Sequence, residues 1–268
     1  MNFPTSQTPP PLSPYPQFAP PAAEPTGPGL SEAQRLINMF IAPKKTFEDL
    51  KRNSSWWMPW LISAVFALIF GIVAVQKIDM ARFVQQQIDR SPSAQRRMEQ
   101  ATPEQRAQGM AIQATITKVS FYLVPFFTLL WGLIVAAVLM AIFNFMLGAE
   151  VPFQRAMAIY FYSAFPLILG TILLLVSLLV SGDPNTIDIA GNPMPTNPAF
   201  FMDPQGNKLL YGIASALDIF KIWLVVLLGL GFATASSNRK PSVGTALTTM
   251  FVVYGIVVLC GVGFKMLF

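Results

Sequence analysis

Five long apolar blocks separated by polar stretches dominate the pattern of the chain. The blocks lie at residues 57–75, 119–147, 156–180, 212–235 and 245–267. A helix of about 20 residues crosses the roughly 30 Å of a bilayer's hydrocarbon core, so each block is long enough to span a membrane. The second block exceeds one perpendicular crossing. We therefore expect it to tilt or to project beyond the bilayer, with Pro125 as a candidate kink.

The polar stretches predict what lies before and between the spans. Residues 1–30 hold ten prolines and almost no charge, which predicts a disordered tail with polyproline-II character. Residues 76–118 mix charges with glutamines and predict solvated helices, one of which starts at a capping box of Thr102 and Gln105. Residues 181–208 are rich in Pro, Asn and Asp and predict an irregular loop. The expected domains are a tail at 1–30 and a membrane domain at 31–268.

The segment at 31–52, just before the first span, is amphipathic and basic. Ser31 and Gln34 fit a capping box, and Pro43 ends the helix. The apolar side of this helix consists of Leu36, Ile37, Phe40 and Ile41. The basic cluster that follows consists of Lys44, Lys45, Lys51 and Arg52. Two arrangements are open: the segment lies in the membrane interface with its basic cluster on anionic lipids, or it packs on the cytoplasmic end of the bundle.

Composition narrows the class of protein further. The chain of 268 residues is 53% hydrophobic and only 12% charged, about half the charged fraction of an ordinary soluble domain. Its net charge is +5, but the basic residues flank the apolar blocks and form no patch with interleaved aromatics, so an anionic lipid surface is a simpler partner than nucleic acid. The chain has no histidine, and its single cysteine, Cys260, lies in the last block. We therefore expect no cofactor and no thiolate metal cluster.

The distribution of basic residues predicts the orientation. If the N-terminus is cytoplasmic, the cytoplasmic side receives Lys44, Lys45, Lys51, Arg52, Arg155, Arg239 and Lys240. The opposite side then receives the acidic loop that holds Asp183, Asp188 and Asp203. This arrangement follows the positive-inside rule, although the basic residues of the 76–118 connection run against it.

Asp218 and Lys221 form the candidate site. They stand three residues apart at the head of the fourth block, so they share one helix face and can pair. A charged pair at mid-membrane is a functional hypothesis by default. However, the stretch before Asp218 is only mildly apolar and Trp223 follows closely, which favours an anchor at the outer interface.

Two further sets of residues have a structural and a functional interpretation. Small residues in the last two blocks allow close helix packing or a flexible gate, and packing is favoured: Gly229, Gly231, Ala233, Gly255, Gly261 and Gly263. Asp183, Asn185 and Asp188 suggest calcium at first sight, but Ile187 stands where an EF-hand needs a ligand and no glutamate closes the loop. We therefore predict no metal site there.

Three stretches resemble the Yip-one domain family, in its bacterial variant. They are APKKTFEDLKRNSSWWMPWLI before and into the first span, FNFMLGAEVPFQRAMAIYFYSAFPLIL around the loop between spans two and three, and LDIFKIWLVVLLGLGFATASSNRKPSVGTAL from span four into span five. The resemblance covers residues 36–268 and implies an all-α polytopic membrane protein with five transmembrane helices and a cytoplasmic N-terminus. Eukaryotic members are associated with membrane trafficking and prenylated GTPases, but the bacterial branch has no settled role and supplies no catalytic residue.

These observations lead to two functional hypotheses. The first is a non-enzymatic scaffold or adaptor in the bacterial cytoplasmic membrane, which binds unknown protein partners through its cytoplasmic N-terminal region. Enzyme motifs such as G-x-S-x-G, H-E-x-x-H and the P-loop are absent from the sequence. The second is a small transporter or channel subunit that uses Asp218 and Lys221, supported also by Asn144 and the prolines in the spans. A homo-oligomer is compatible with both.

Overall fold

The computed structural model describes residues 28–189, 191–204, 206–236 and 241–267, and the secondary structure in these ranges is entirely helical. Its α-helices are α1 (Glu32–Ile41), α2 (Pro43–Asp49), α3 (Trp57–Lys77), α4 (Met80–Asp89), α5 (Pro92–Gln100), α6 (Pro103–Leu147), α7 (Phe153–Ala164), α8 (Ile168–Val180), α9 (Lys208–Ala216), α10 (Ile219–Ala235) and α11 (Val243–Leu267). Short 3₁₀ turns lie at Phe165–Leu167, Pro184–Thr186 and Pro198–Phe201. The tail prediction for 1–30 falls mostly outside the described residues, as do Arg239 and Lys240.

Four helical segments in the described ranges are long and apolar enough to cross a bilayer: Trp57–Lys77, Pro103–Leu147, Phe153–Val180 and Val243–Phe264. The pair α9 and α10 qualifies as a fifth span if it is taken together, but the two helices meet at an angle of 55°. The prediction of an all-α polytopic membrane fold is therefore confirmed. The sequence predicted one span at 212–235, and the structure divides this stretch into two helices at Leu217 and Asp218.

Helix α6 is a single element of 45 residues, where the sequence analysis expected a solvated helix and a separate span. Its start is the predicted capping box, with Thr102 and Gln105 each satisfying the other's backbone amide. It ends at Gly148, which takes the left-handed conformation that favours glycine (φ 62°). At 1.5 Å per residue the helix is about 66 Å long, which exceeds the thickness of a whole bilayer. It therefore projects beyond the membrane.

Pro125 interrupts the hydrogen bonds of α6 without ending the helix. Proline has no amide hydrogen, so the carbonyl of Phe121 loses its partner one turn later. Helix α3 passes this carbonyl at Gly71, where an added Cβ would lie 2.6 Å from the Phe121 oxygen. The carbonyl of Pro125 itself accepts hydrogen bonds from the Trp60 indole (3.4 Å) and the Thr128 hydroxyl (2.8 Å). Helices α3 and α6 therefore pack closely on the turn that ends at Pro125.

Two buried cores lie at opposite ends of the bundle. We call the first the α1–α2 end: there α1 and α2 pack with α7, the second half of α10, the end of α6 and the start of α11. The second is the α4–α5 end, where α4 packs on the end of α3, the middle of α6, the end of α8 and the loop that follows it. The outer faces of α3, α6, α8 and α11 carry exposed apolar side chains, as expected of surfaces in contact with lipid.

The predicted close packing of small residues holds for one of the two helices. Added Cβ atoms would collide with neighbours at Gly229, against Leu247, and at Gly231, against Ile159 and Phe47. In α11, however, added Cβ atoms at Gly255, Gly261 and Gly263 would meet nothing within 4 Å. The expectation that the glycines of the last span bring helices together within the chain is therefore wrong, because these glycines face away from the bundle.

We predict that Gly71→Ala destabilises the protein, by about 1–3 kcal/mol, because the new methyl group forces α3 away from the Phe121 carbonyl. The measurement is thermal unfolding of the purified full chain in detergent. Gly255→Ala is the matched control, since it makes the same chemical change in a transmembrane helix where a methyl group meets open space. Equal melting temperatures for the two variants would contradict the proposed close contact.

Candidate functional site

A cluster of charged and polar side chains joins α1 and α2 to the bundle. The Arg35 guanidinium donates from Nε to Asp49 Oδ2 (2.8 Å) and from Nη1 to Glu32 Oε1 (3.2 Å). The Tyr162 hydroxyl, on α7, donates to the second oxygen of Glu32 (2.5 Å). The hydroxyl of Thr46, on α2, donates to the carbonyl of Arg35 (2.9 Å). We call these five side chains the Arg35 network.

The Arg35 network is buried, so each of its charged groups depends on its partner for stabilisation. The side chains of Arg35 and Asp49 are only 3% and 8% exposed. Burial alone would lower the pKa of Arg35, but the hydrogen bonds to Asp49 and Tyr162 favour the charged form and leave its pKa raised. Removing one member of such a pair leaves an uncompensated buried charge, which costs far more than losing an exposed ion pair. The network therefore holds α1 against α2, and the hydrogen bond from Tyr162 to Glu32 holds both against α7.

Apolar contacts extend the same docking. Phe47 of α2 is fully buried and lies against Gly231 of α10, next to Ile159. The ring of Phe40, on α1, makes edge contacts with Phe165 and with Trp223, at 5.8 Å in each case. Of the two arrangements open for this segment, packing on the bundle is thus observed: α1 packs on the end of α7 and the start of α10, and α2 on the second half of α10.

The outer edge of α1 is left exposed and apolar. Ile37 and Ile41, one turn apart, are 59% and 75% exposed, while Arg35, Leu36 and Met39 fill the buried side. The predicted basic cluster follows directly: Lys44, Lys45 and Arg52 are exposed and Lys51 is half-buried. Lys44 makes only a loose ion pair with Glu48, at 3.8 Å. An apolar edge and a row of cations thus lie side by side.

Asp218 caps a helix at the break between α9 and α10. One carboxylate oxygen accepts from the backbone amides of Phe220 (3.0 Å) and Lys221 (3.1 Å), and the other accepts from the hydroxyl of Thr196. The amide of Ile219 donates to the Thr196 carbonyl (3.0 Å). The buried carboxylate is therefore satisfied by α10 and by the preceding loop.

Lys221 turns away from Asp218. Its ammonium group donates to the carbonyl of Ser215 (3.2 Å), in the last turn of α9, and the hydroxyl of Tyr254 donates to the neighbouring carbonyl of Ala216 (2.6 Å). The ion pairs in the described ranges do not include Asp218 with Lys221. The two residues instead cap the two facing helix ends, which are otherwise short of hydrogen-bond partners.

The other polar residues considered from the sequence also have local partners. The amide group of Asn144 bonds both the amide (2.8 Å) and the carbonyl (3.0 Å) of Val151 and closes the loop between α6 and α7. Asp183 accepts from Asn185, which lowers the pKa of its carboxyl group. Asp188 pairs with Arg90 of the α4–α5 end. These contacts fasten loops and leave no converging set of groups.

Sequence reasoning missed the centre of the Arg35 network. The sequence analysis assigned no role to Arg35 or Glu32, or to Tyr162, which lies in an apolar block. Their partners are 14 and 130 residues apart in the chain, so periodicity could not connect them. The one available signal was that Arg35 stands beside Leu36 on the apolar side of α1.

An all-helical membrane bundle, with a short amphipathic helix pair docked on one end, is the class of protein that this geometry defines. Residues 37–262 match the Yip1 domain, so the chain belongs to that family, which its motifs already resembled. Neither a curated protein nor a solved structure matches the chain.

We predict that Asp49→Ala destabilises the docked α1–α2 unit by about 3–5 kcal/mol, because it leaves the buried Arg35 charge without its partner. The measurement is thermal unfolding together with limited trypsin digestion at Lys44 and Lys45. The control is Glu48→Ala, which removes the exposed Lys44–Glu48 ion pair but keeps both trypsin sites, and should change stability by less than about 1 kcal/mol. Similar losses for both variants would contradict a stabilising role for the Arg35 network.

Proposed function

We propose that this protein is a non-catalytic membrane scaffold or adaptor of the bacterial cytoplasmic membrane, with its N-terminus in the cytoplasm. The observation that carries the proposal is the Arg35 network, because it fixes α1 and α2 to the bundle at a defined place. The amide of Leu30 donates to Asp49 Oδ1 (3.3 Å), so the same network also holds the point where the proline-rich tail leaves the bundle. A partner bound to the tail would be held close to the membrane.

The charge distribution supports the cytoplasmic orientation. The α1–α2 end carries Lys44, Lys45 and Arg52, together with Arg155 at the start of α7. Asp183 and Asp188 lie at the opposite end of the bundle. Arg106 is one of the basic residues of the 76–118 connection whose position runs against the positive-inside rule. It lies about 20 Å along α6 from Val119, and a basic residue that far from a span has a weaker effect on orientation.

The absence of histidine from the sequence and the membership of the Yip1 family support the non-catalytic part of the proposal. The groups that could carry acid–base chemistry are engaged elsewhere: Glu32 and Asp49 hold Arg35, and Asp218 caps α10. A carboxylate whose oxygens are all engaged in structure is a poor general base.

The test is photocrosslinking in living cells through single reactive side chains placed along residues 1–52 of the full chain. We expect one reproducible protein partner, crosslinked from positions in the tail. Asp49→Ala, which undocks α1 and α2, should change the crosslinked positions while the protein stays in the membrane. Lys44→Ala serves as control. If no position gives a reproducible partner, the adaptor proposal fails.

One observation favours the alternative, a small transporter or channel subunit. A span broken into two half-helices is a common feature of transporters, because helix ends and unwound backbone can bind ions. Here, however, Asp218 and Lys221 cap the two helix ends, and the Asn144 amide is used by Val151. The break therefore looks closed in this conformation, and an aqueous path would have to open these contacts.

Cysteine accessibility along α9 and α10 separates the two functions. In a Cys260→Ser background, single cysteines from Ala214 to Thr234 are tested with a membrane-impermeant thiol reagent from each side. We expect labelling to stop near Lys221 and to resume only near the end of α10, because the helix packs in a dry core. Labelling of one face every three to four residues through the middle would mean that water enters, and the transporter would then replace the scaffold.

A further inference from the structure

Trp56 and Trp131 lie at about the same height along the axis of the bundle. Phe161 stacks on Trp56, with ring centroids 5.4 Å apart, and lies against Gly132, the neighbour of Trp131. One turn later, Phe165 contacts Phe40, which in turn contacts Trp223. Tryptophan concentrates at the boundary between hydrocarbon and headgroups. Trp56 and Trp131 therefore place a membrane interface at the level of Phe161, one helical turn from the Phe165 ring that Phe40 contacts.

The exposed apolar side chains that face the lipid begin at about the same height. On α8 the exposed apolar side chains begin at Leu169, directly after the Phe165 turn, and continue to Val180. On α6 they run without a long gap from Ile112 to Val138 and so pass Trp131. On α3 the exposed apolar side chains begin at Trp57, the neighbour of Trp56, and continue to Ile72. Helix α1 therefore lies where the lipid-facing surface begins.

Two features of α1 match the two layers of a membrane interface. Its exposed edge, Ile37 and Ile41, adjoins Phe40, which is itself partly exposed and contacts Phe165, and so faces the hydrocarbon boundary. Lys44 and Lys45 follow within one turn and are exposed. The acidic residues nearby leave them largely free for anions, because Glu32 and Asp49 are occupied by Arg35 and only Glu48 reaches Lys44, at 3.8 Å.

We propose that the outer edge of α1 is an in-plane membrane anchor that binds anionic phospholipid, with Ile37 and Ile41 among the acyl chains and Lys44 and Lys45 on the phosphates. The Arg35 network holds the helix at the right depth, so docking on the bundle and lying in the interface are one arrangement. This inference does not rest on the scaffold function. It requires only that α1 stays where the network holds it.

The depth test uses the full chain with Cys260→Ser, reconstituted in vesicles of phosphatidylcholine with phosphatidylglycerol. Single cysteines replace Ile37, Ile41 or, as control, Glu48 on the exposed side of α2, and each carries a small fluorophore. Brominated acyl chains should quench the probes at 37 and 41 strongly and the probe at 48 weakly. If all three are quenched alike, or if the probes at 37 and 41 are reached by an aqueous quencher instead, the edge is covered by water or by another protein and the proposal fails.

The charge test uses the Lys44→Gln/Lys45→Gln double variant. Each basic residue near an anionic surface contributes to lipid binding, so the unaltered chain should retain phosphatidylglycerol over phosphatidylcholine, and the double variant should lose about tenfold or more of that preference at low salt. Arg96→Gln, at an exposed position of α5 at the opposite end of the bundle, is the control and should leave this preference unchanged. An unaltered lipid preference in the double variant would overturn the headgroup part of the proposal. Melting temperatures equal to that of the parent chain establish that both variants are folded.

Discussion

Backbone groups inside a bilayer have no water to bond with, and the bundle depends on how this constraint is met wherever a helix is interrupted. Three interruptions occur in the described spans, and each is accommodated in a different way. At Pro125 the carbonyl receives the Trp60 indole, and the orphaned Phe121 carbonyl meets the bare backbone of Gly71. At Pro166 a short 3₁₀ turn continues the helix. Between α9 and α10, side chains of Asp218, Lys221 and Tyr254 supply the missing partners.

The need of backbone groups for hydrogen-bond partners also explains why charged residues occur in such an apolar chain. Asp218 and Lys221 were interesting from the sequence because an intramembrane charge is costly unless it has a task. Their task in this conformation is to end one helix and begin another at an angle of 55°. The Arg35 network solves a related problem outside the spans, since it lets a polar helix pair pack on apolar helices without leaving a buried charge unpaired.

The sequence predicted the class of the fold well because long apolar blocks are a strong signal. The blocks, the capping boxes at Ser31 and Thr102 and the stop at Pro43 all appear where expected. The sequence analysis failed where two predicted helices form one, or where one predicted span breaks into two, because residues distant in the chain decide these places. The 76–118 connection runs into the second span because its last stretch has no helix breaker, and the fourth span breaks because the loop residue Thr196 holds Asp218. Likewise, the direction in which the glycines of α11 point depends on packing that periodicity does not encode.

Helix α6 has a mechanical consequence. It continues for about 66 Å through Pro125, where the Trp60 indole bonds it to α3, so it behaves as a stiff rod held near its middle. A rotation of the rod by roughly 5° about that point would move each tip by about 3 Å, in opposite directions on the two sides of the membrane. One tip adjoins the Gly148 turn beside α7, and the other carries α5 and the Arg90–Asp188 contact region. Helix α6 would therefore transmit a force applied on one side of the membrane to the other side.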